Sequence, residues 1–210
     1  MVLLLRRNED AAALHRGAAQ GDGATDGDGK VQPQPGADAA AASSRAIAEQ
    51  TALKVRYLSL TSGRTTRVLS PHALVDTGLR WHMRAHDDRS GGFRDFVLTR
   101  VETAEPAGAA PEAASRETDE QWMRIVPLEL VPHPGLRHPE AVAADYGMED
   151  GVLRLRLRAP LVGYVTQAWG VDTSADHRMA PERHQLWLRN TGTLYGVESL
   201  RFAPGSGDGA

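Results

Sequence analysis

The chain has 210 residues, 41% of them hydrophobic and 24% charged, and a formal net charge of -3. This composition suits one large domain or two small ones, and it excludes a wholly disordered chain and a protein that is basic throughout. The absence of cysteine excludes a disulfide scaffold and thiolate chemistry, both catalytic and zinc-binding. Lys30 and Lys54 are the only lysines among 24 cationic residues. This preference for Arg over Lys fits bidentate anion recognition and also a GC-rich genome. The positions of the arginines along the chain must decide between the two explanations.

The first 44 residues differ in composition from the rest. The apolar run Met1–Leu5 is too short for a signal peptide and precedes its charges, Arg6 and Arg7. No stretch of the chain approaches the roughly 20 apolar residues of a membrane helix. The remainder of 1–44 is rich in Gly, Asp and Ala, which predicts a disordered or low-complexity segment. We expect a cytoplasmic protein with no membrane partner.

Residues 43–102 predict a short helix followed by five short strands. The helix is expected at 43–51, and the strands at 53–60, 65–69, 73–76, 79–86 and 93–101, with a break or bulge at Pro71-His72. Five short strands with turns between them are typical of a small barrel, which we place at 45–102.

A second domain is expected after a boundary at 103–120, where Ala, Pro and Glu dominate as in a linker or a weak helix. Residues 121–203 then predict a compact β-α-β-α-β unit, and 204–210 a polar tail. The predicted strands are 122–130, 152–158 and 185–189, and the predicted helices are 139–146 and 160–170. The expected fold class is α+β, mostly β.

The predicted strand 79–86 is the most informative segment, because its two faces differ in character. One face carries the apolar side chains of Leu79, Trp81, Met83 and Ala85. The other face carries Arg80, His82, Arg84 and His86. A row of cationic and titratable groups attracts a polyanion, although a merely solvated basic face has the same pattern.

The surrounding residues favour the anion-binding alternative. Residues 64–100 contain seven Arg and four Asp, so their formal charge is 7 - 4 = +3 in a chain of -3. A small barrel with this excess should carry a focused positive patch. Tyr57 and Ser59 share one face of the first strand, where they would add a ring for stacking and a hydroxyl donor.

These strands resemble those of a WYL domain. The resemblance rests on residues 53–59, 67–72 and 93–101, and on 79–83, where Trp81-His82-Met83 replaces the Trp-Tyr-Leu of the name. Residues 71–85 are similar to WYL regulators associated with phage-defence islands, and 132–136 and 145–148 to their C-terminal extension. The resemblance covers roughly 45–200 and implies a small Sm-like or SH3-like barrel that senses a nucleotide or a single-stranded nucleic acid, with the extension contributing to a homodimer.

By position, the resemblance implies a set of ligand-binding residues. They are Tyr57, Ser59, Arg67, His72, His82, Arg84, Arg94 and Arg100. The family's helix-turn-helix should precede residue 45, where no such pattern occurs. The expectation is therefore a truncated repressor or a free-standing sensor, for which direct promoter binding is doubtful.

Three alternatives remain beside this interpretation. The arginines can instead be salt-bridge partners at the barrel rim, for example Arg94 or Arg100 with Asp95 or Asp76, and Trp81 a core residue. The chain can instead be a non-catalytic interaction or dimerisation module without a ligand. A nucleic-acid-processing enzyme is disfavoured, because no nucleophile elbow, P-loop, dinucleotide or His-Glu-x-x-His motif occurs. No cofactor is expected, and strand geometry separates His82 from His86, which argues against a zinc site.

Overall fold

The structure, a computed structural model, describes residues 36–206. Their contacts divide them into two compact units, the first ending at Asp119 and the second beginning at Glu120. The predictions for 1–35 and for 207–210 lie outside the described residues. Within 36–206, no helix has the length and apolar character needed to cross a bilayer.

The first unit is an antiparallel sheet preceded by a helix. Its elements are α1 (Ala37–Glu49), β1 (Thr51–Ser59), β2 (Gly63–Asp76), β3 (Trp81–Asp87), β4 (Gly92–Val97), a 3-10 turn (Leu98–Arg100), β5 (Val101–Ala109) and two further 3-10 turns (Glu112–Ala114 and Arg116–Thr118). The strand order is β4-β3-β2-β1-β5. The expected α+β class is confirmed, but a closed barrel is not seen in the described part of the chain.

Three tight turns set the order of the first four strands. Gly63 is the first residue of β2 and Gly91 precedes β4, with φ angles of 65° and 66° that glycine adopts without strain. Between β2 and β3, the Asp76 carboxylate accepts a hydrogen bond from the Gly78 amide at 2.8 Å. Short side-chain-capped turns of this kind favour antiparallel neighbours.

The core of the first unit lies on one face of this sheet. Leu69, Met83 and Leu98 are fully buried there, and each such side chain contributes roughly 1.5–3 kcal/mol through its removal from water. Helix α1 contributes Ala42 and Ala46, whose small side chains allow close approach. The remaining members of the core are Leu53, Val55, Tyr57, Trp81, Ala85 and Phe96.

Three expectations for the first unit are corrected. The helix begins at Ala37, within the segment predicted to be disordered, because the run of alanines has high helix propensity. The strands predicted at 65–69 and 73–76 are one strand, β2, with a bulge between Pro71 and Ala73. Residues 101–109, placed mostly in the linker, form β5 because they pair with β1 at the sheet edge, where Pro106 is tolerated.

The second unit has a four-stranded sheet with helices. Its elements are α2 (Glu120–Met123), β6 (Ile125–Pro132), α3 (Pro139–Asp145), β7 (Leu153–Arg158), α4 (Ala159–Ala168), β8 (Val171–Asp172), β9 (Leu186–Leu188) and two 3-10 turns (Thr191–Leu194 and Glu198–Phe202). The strand order is β7-β6-β9-β8, and only the β8–β9 pair is parallel.

The second unit also differs from its expected β-α-β-α-β order. Trp122 lies in the short helix α2 and not in a strand, and the two-residue strand β8 has no periodicity by which to predict it. The predicted tail begins too early, because the Pro204 carbonyl accepts hydrogen bonds from the Thr173 amide at 3.0 Å and its hydroxyl at 2.6 Å.

Candidate functional site

Arg84 lies at the centre of a cluster of charged side chains on β3. The strand register places Asp95 of β4 opposite Arg84 on one side and Ala73 of β2 on the other. The β2 bulge leaves His72 as an extra residue beside this position, and a bulge of this kind redirects a side chain. The two hairpins therefore bring Arg84, Asp95 and His72 together.

The Asp119 carboxylate binds to this cluster. Arg84 donates from Nε to Asp119 Oδ2 at 2.7 Å and from Nη2 to Oδ1 at 3.0 Å. The His72 Nε2 atom lies 3.0 Å from the same Oδ2. On the other side, Arg84 Nη1 donates to Asp95 Oδ1 at 3.3 Å. The paired hydrogen bonds form the planar fork by which arginine recognises carboxylates and phosphates.

The cluster is almost fully shielded from water. The side chains of Arg84 and Asp119 are only 5% and 2% exposed. Burial opposes the charge on Arg84, but the hydrogen bonds and charges of Asp119 and Asp95 outweigh it and raise the Arg84 pKa. The Arg84 guanidinium is therefore permanently charged. Arg84 and His72 together form an anion-binding site, and the anion they bind is the Asp119 carboxylate of the same chain.

The protonation state of His82 differs from the positive charge that its position in a row with Arg80 and Arg84 suggests. Burial, and then the charges of Arg80 and Arg100, lower the His82 pKa to about 4. The ring is therefore neutral near pH 7. His82 can take part in recognition there as a hydrogen-bonding ring and not as a cation.

Arg67 forms a second internal ion pair. Its Nη1 donates to Asp87 Oδ2 at 2.7 Å, its Nε donates to the Thr65 hydroxyl at 3.0 Å, and its guanidinium lies 5.8 Å from the Phe96 ring centroid. The Asp87 side chain has no exposed surface. Arg67 thus holds the end of β3 to β2.

The remaining predicted site residues lie in separate places. Tyr57 is in the core, where its hydroxyl accepts from the Val97 amide at 3.1 Å. The Ser59 hydroxyl accepts from the amides of the β1–β2 turn at 3.2 and 3.3 Å. Arg94 is exposed and donates to the Ser90 hydroxyl at 2.9 Å. Arg100 is partly buried in the 3-10 turn after β4, near enough to His82 to affect its charge.

The structure thus assembles His72, Arg84 and their acidic partners, with His82 and Arg100 forming a neighbouring pair. Sequence reasoning missed the carboxylates Asp119 and Asp87, and it named Asp95 only as a partner of Arg94 or Arg100 and not of Arg84. The hairpin register between β3 and β4 is a signal that could have found Asp95. Asp119 has no such signal, because it lies 35 positions from Arg84 outside any periodic segment. Within 36–206, no group of three His, Asp or Glu side chains is arranged to hold a metal ion.

Two family models match the two units. Residues 38–106 match the WYL domain, and residues 125–194 match the BrxR transcriptional regulator C-terminal dimerization domain. The chain belongs to the WYL-domain family. The match extends past residue 102 into β5, in agreement with the corrected boundary, and Asp119 lies between the two matched segments.

Curated relatives support this family membership. The DNA-binding transcriptional repressor CapW of Escherichia coli (strain KTE188) is 36% identical over 156 residues, 73% of this chain and 51% of the relative. CapW of Stenotrophomonas maltophilia is 38% identical over 70% of this chain and 50% of the relative. This WYL-domain chain spans about half the length of the curated relatives it matches. Their names support the expectation that the chain is not an enzyme.

A solved structure is also similar to this WYL-domain chain. It is proteasome accessory factor B/C (PafBC) of Arthrobacter aurescens, with 27% sequence identity and a TM-score of 0.37. The match covers 76% of this chain and 31% of the PafBC chain. A TM-score this low carries no information on the arrangement of the fold.

Proposed function

We propose that this WYL-domain chain is the sensing and dimerising part of a transcriptional regulator of the phage-defence kind. Its Arg/His site is proposed to bind a nucleotide or single-stranded nucleic acid. One observation carries the proposal: Arg84 and His72 converge on the two oxygens of one carboxylate. The same fork fits two oxygens of a phosphate.

The charges around this site favour a larger anion over a single small one. Arg80 and Arg100 both act on the charge of His82, which lies two positions from Arg84 on β3. Their guanidinium groups give a polyphosphate further contacts beside the Arg84 site. Such contacts make the affinity fall as salt rises, because counterions are released on binding.

The regulatory part of the proposal comes from the relatives. The CapW proteins are named DNA-binding transcriptional repressors, and the match over 125–194 is to a dimerization domain. We infer that residues 125–194 join two copies of this chain, and that the dimer acts on transcription.

A second candidate is a dimerisation module without a ligand. It is favoured by the fact that Arg84 and Arg67 are already neutralised by Asp119 and Asp87. Its signature is a dimer that is insensitive to salt and that survives loss of the arginines.

The test is a fluorescence-anisotropy titration with three probes: a ten-nucleotide single-stranded DNA, the matching RNA and a cyclic dinucleotide. The variants are Arg84→Lys, which keeps the charge but loses the fork, and Arg100→Ala. The control is Arg201→Ala, which removes an exposed arginine from the turn Glu198–Phe202 of the second unit, outside residues 125–194. We expect salt-dependent binding that both site variants weaken at least about tenfold, the size of a lost charged hydrogen bond, and the control does not. Absence of binding by every probe, or equal loss in the control, overturns the proposal.

A further inference from the structure

Asp119 differs from every other partner of the anion site in how the chain holds it. His72, Arg84 and Asp95 lie on β2, β3 and β4, and the pairing of these strands holds them in place, with His72 in the bulge of β2. Asp119 follows two single 3-10 turns, and its amide donates only to the nearby Arg116 carbonyl at 3.2 Å. The segment 110–119 has no strand and buries only Ala114 and Asp119. Its first residue is held by the Ala110 amide, which donates to the Gln50 carbonyl at 3.0 Å, and its last residue is held to the sheet by the Asp119 carboxylate.

The same hydrogen-bond donors cannot serve Asp119 and an external anion together. Arg84 uses the Nε and Nη2 fork for Asp119, and its Nη1 faces Asp95. A phosphate that takes the fork must remove the Asp119 carboxylate from it. The exchange replaces one anion by another on the same donors, so neither state leaves the buried Arg84 without a partner.

We propose that Asp119 is a displaceable internal occupant of the Arg84–His72 site and that a phosphate-bearing ligand expels it. This inference rests on the proposed function, because it names how the same site is regulated. The intramolecular carboxylate competes with the ligand at a high effective concentration, which sets a threshold for binding. Ligand binding at the site frees the segment 110–119.

The location of Asp119 gives its release a consequence. Asp119 is the last residue of the first unit, and Glu120 begins α2 of the second. Residues 107–124 lie between the two matched family segments, so Asp119 lies outside both of these segments, at the end of the first unit. Expulsion of Asp119 converts a connection that is attached to the sheet into a free tether. Occupancy of the site is thereby transmitted to the dimerisation domain as a shift between two states.

The experiment compares Asp119→Ala and Asp119→Asn with wild type. The matched control is Glu117→Gln, which removes one negative charge from an exposed residue of the same segment. The probes are a fluorescein-labelled ten-nucleotide single-stranded DNA and, as competitor, inorganic pyrophosphate. If Asp119 occupies the site 90–99% of the time, its removal tightens DNA binding about 10- to 100-fold, because the competent fraction rises to one. Glu117→Gln should bind like wild type, and competition by pyrophosphate separates phosphate recognition from polynucleotide recognition.

A second readout uses the wild-type chain alone. Hydrogen–deuterium exchange of 110–119 should rise when the oligonucleotide is added, and it should already be high in Asp119→Ala without it. This measurement keeps the inference testable even if Asp119→Ala folds poorly. Thermal melting shows whether Asp119→Ala is folded. If it is not, Asp119→Asn, whose side chain has the same shape, is the variant to compare with wild type.

The possible outcomes separate the two proposals. The displacement of Asp119 is overturned if wild type binds the oligonucleotide and neither Asp119 variant binds it more tightly. It is also overturned if binding leaves residues 110–119 protected from exchange. In both cases the proposed function stays intact. Binding by the Asp119 variants alone supports both. Absence of binding in wild type and in both variants overturns the proposed function and the displacement of Asp119 together.

Discussion

Arg84 donates two parallel hydrogen bonds to the Asp119 carboxylate, at 2.7 and 3.0 Å, and both side chains are almost completely buried. Burying two charges requires removing water from each, and their attraction largely offsets that cost. The net stabilisation of such a pair is therefore small, but removing one partner leaves the other buried and unpaired. This asymmetry makes the pair sensitive to single substitutions.

We predict that Arg84→Ala destabilises the first unit by roughly 3–5 kcal/mol, because Asp119 and Asp95 keep their charges in a buried site. Urea denaturation measures the change. The control is Arg94→Ala, which removes an exposed arginine from β4 and should cost about 0.5 kcal/mol or less. The double variant Arg84→Met with Asp119→Leu should recover part of the loss, since it removes the charges of Arg84 and Asp119 together and leaves only Asp95 without its arginine. Equal effects of Arg84→Ala and Arg94→Ala would contradict a buried pair.

The stability of the first unit should also depend on His82 at mildly acidic pH. Its pKa falls from the ordinary 6.5 to about 4 on folding, chiefly through burial and then through Arg80 and Arg100. The native ring stays neutral while the unfolded ring takes up a proton below pH 6.5. The contribution is therefore complete above pH 6.5 and is lost as the pH falls toward 4, by about 3 kcal/mol in total.

The measurement for His82 is the free energy of unfolding at several pH values between 7 and 4. His82→Gln should lack the part of the pH dependence that the buried ring supplies, which separates it from titrating carboxylates. In the wild type, the His82 ring proton resonances should titrate with a midpoint near pH 4. A midpoint near the ordinary 6.5 would show that the ring is not protected.

The strand pattern of β3 illustrates what local sequence could predict. Alternation correctly predicted Trp81, Met83 and Ala85 as core residues, because side chains on a strand point to opposite faces. It was wrong for Leu79, which is 61% exposed because β3 begins only at Trp81. The second face was interpreted as basic and open, yet His82 and Arg84 are buried as well.

The part of the site that could not be predicted depends on long-range contacts. Asp119 neutralises Arg84 from 35 positions away, and no periodic pattern links the two residues. Counting charge over 64–100 therefore overstated the positive patch. The strand β5 was missed for a similar reason, since Ala, Pro and Glu have low strand propensity and pairing with β1 overrides it.

In the second unit, we predict that Asp172→Ala is strongly destabilising. The Asp172 carboxylate accepts from the Ser174 hydroxyl at 2.6 Å, the Ser174 amide at 2.8 Å, the Met179 amide at 3.0 Å and, from 3.2 Å, His133 Nε2. Alanine leaves these buried donors without an acceptor, at a cost on the order of 3 kcal/mol by urea denaturation. Asp176→Ala, at an exposed neighbouring site, is the control and should change little.

The Asp172 pKa adds a pH test to the same position. Burial opposes its charge, but hydrogen bonds from Ser174, Met179 and His133 outweigh burial and lower the pKa. The stabilisation is therefore present above the ordinary aspartate value and is lost as the pH falls through the lower native pKa. In Asp172→Ala, this part of the acid sensitivity should be absent; an unchanged acid profile would contradict the assignment.

Gly163 of α4 should not tolerate a side chain. A Cβ atom added there would lie 1.9 Å from the Ser199 carbonyl oxygen, and the Gly163 amide already donates a hydrogen bond to the Ser199 hydroxyl oxygen at 3.0 Å. Because the obstacle is backbone, the turn at Glu198–Phe202 must move away from α4. We expect Gly163→Ala to destabilise the second unit by about 1–3 kcal/mol, or more where the turn cannot adjust. Gly192→Ala is the matched control, since nothing lies within 4 Å of its added Cβ. Thermal melting and urea denaturation of both variants should separate them clearly, and equal stability would show that α4 and this turn are not packed in contact at Gly163.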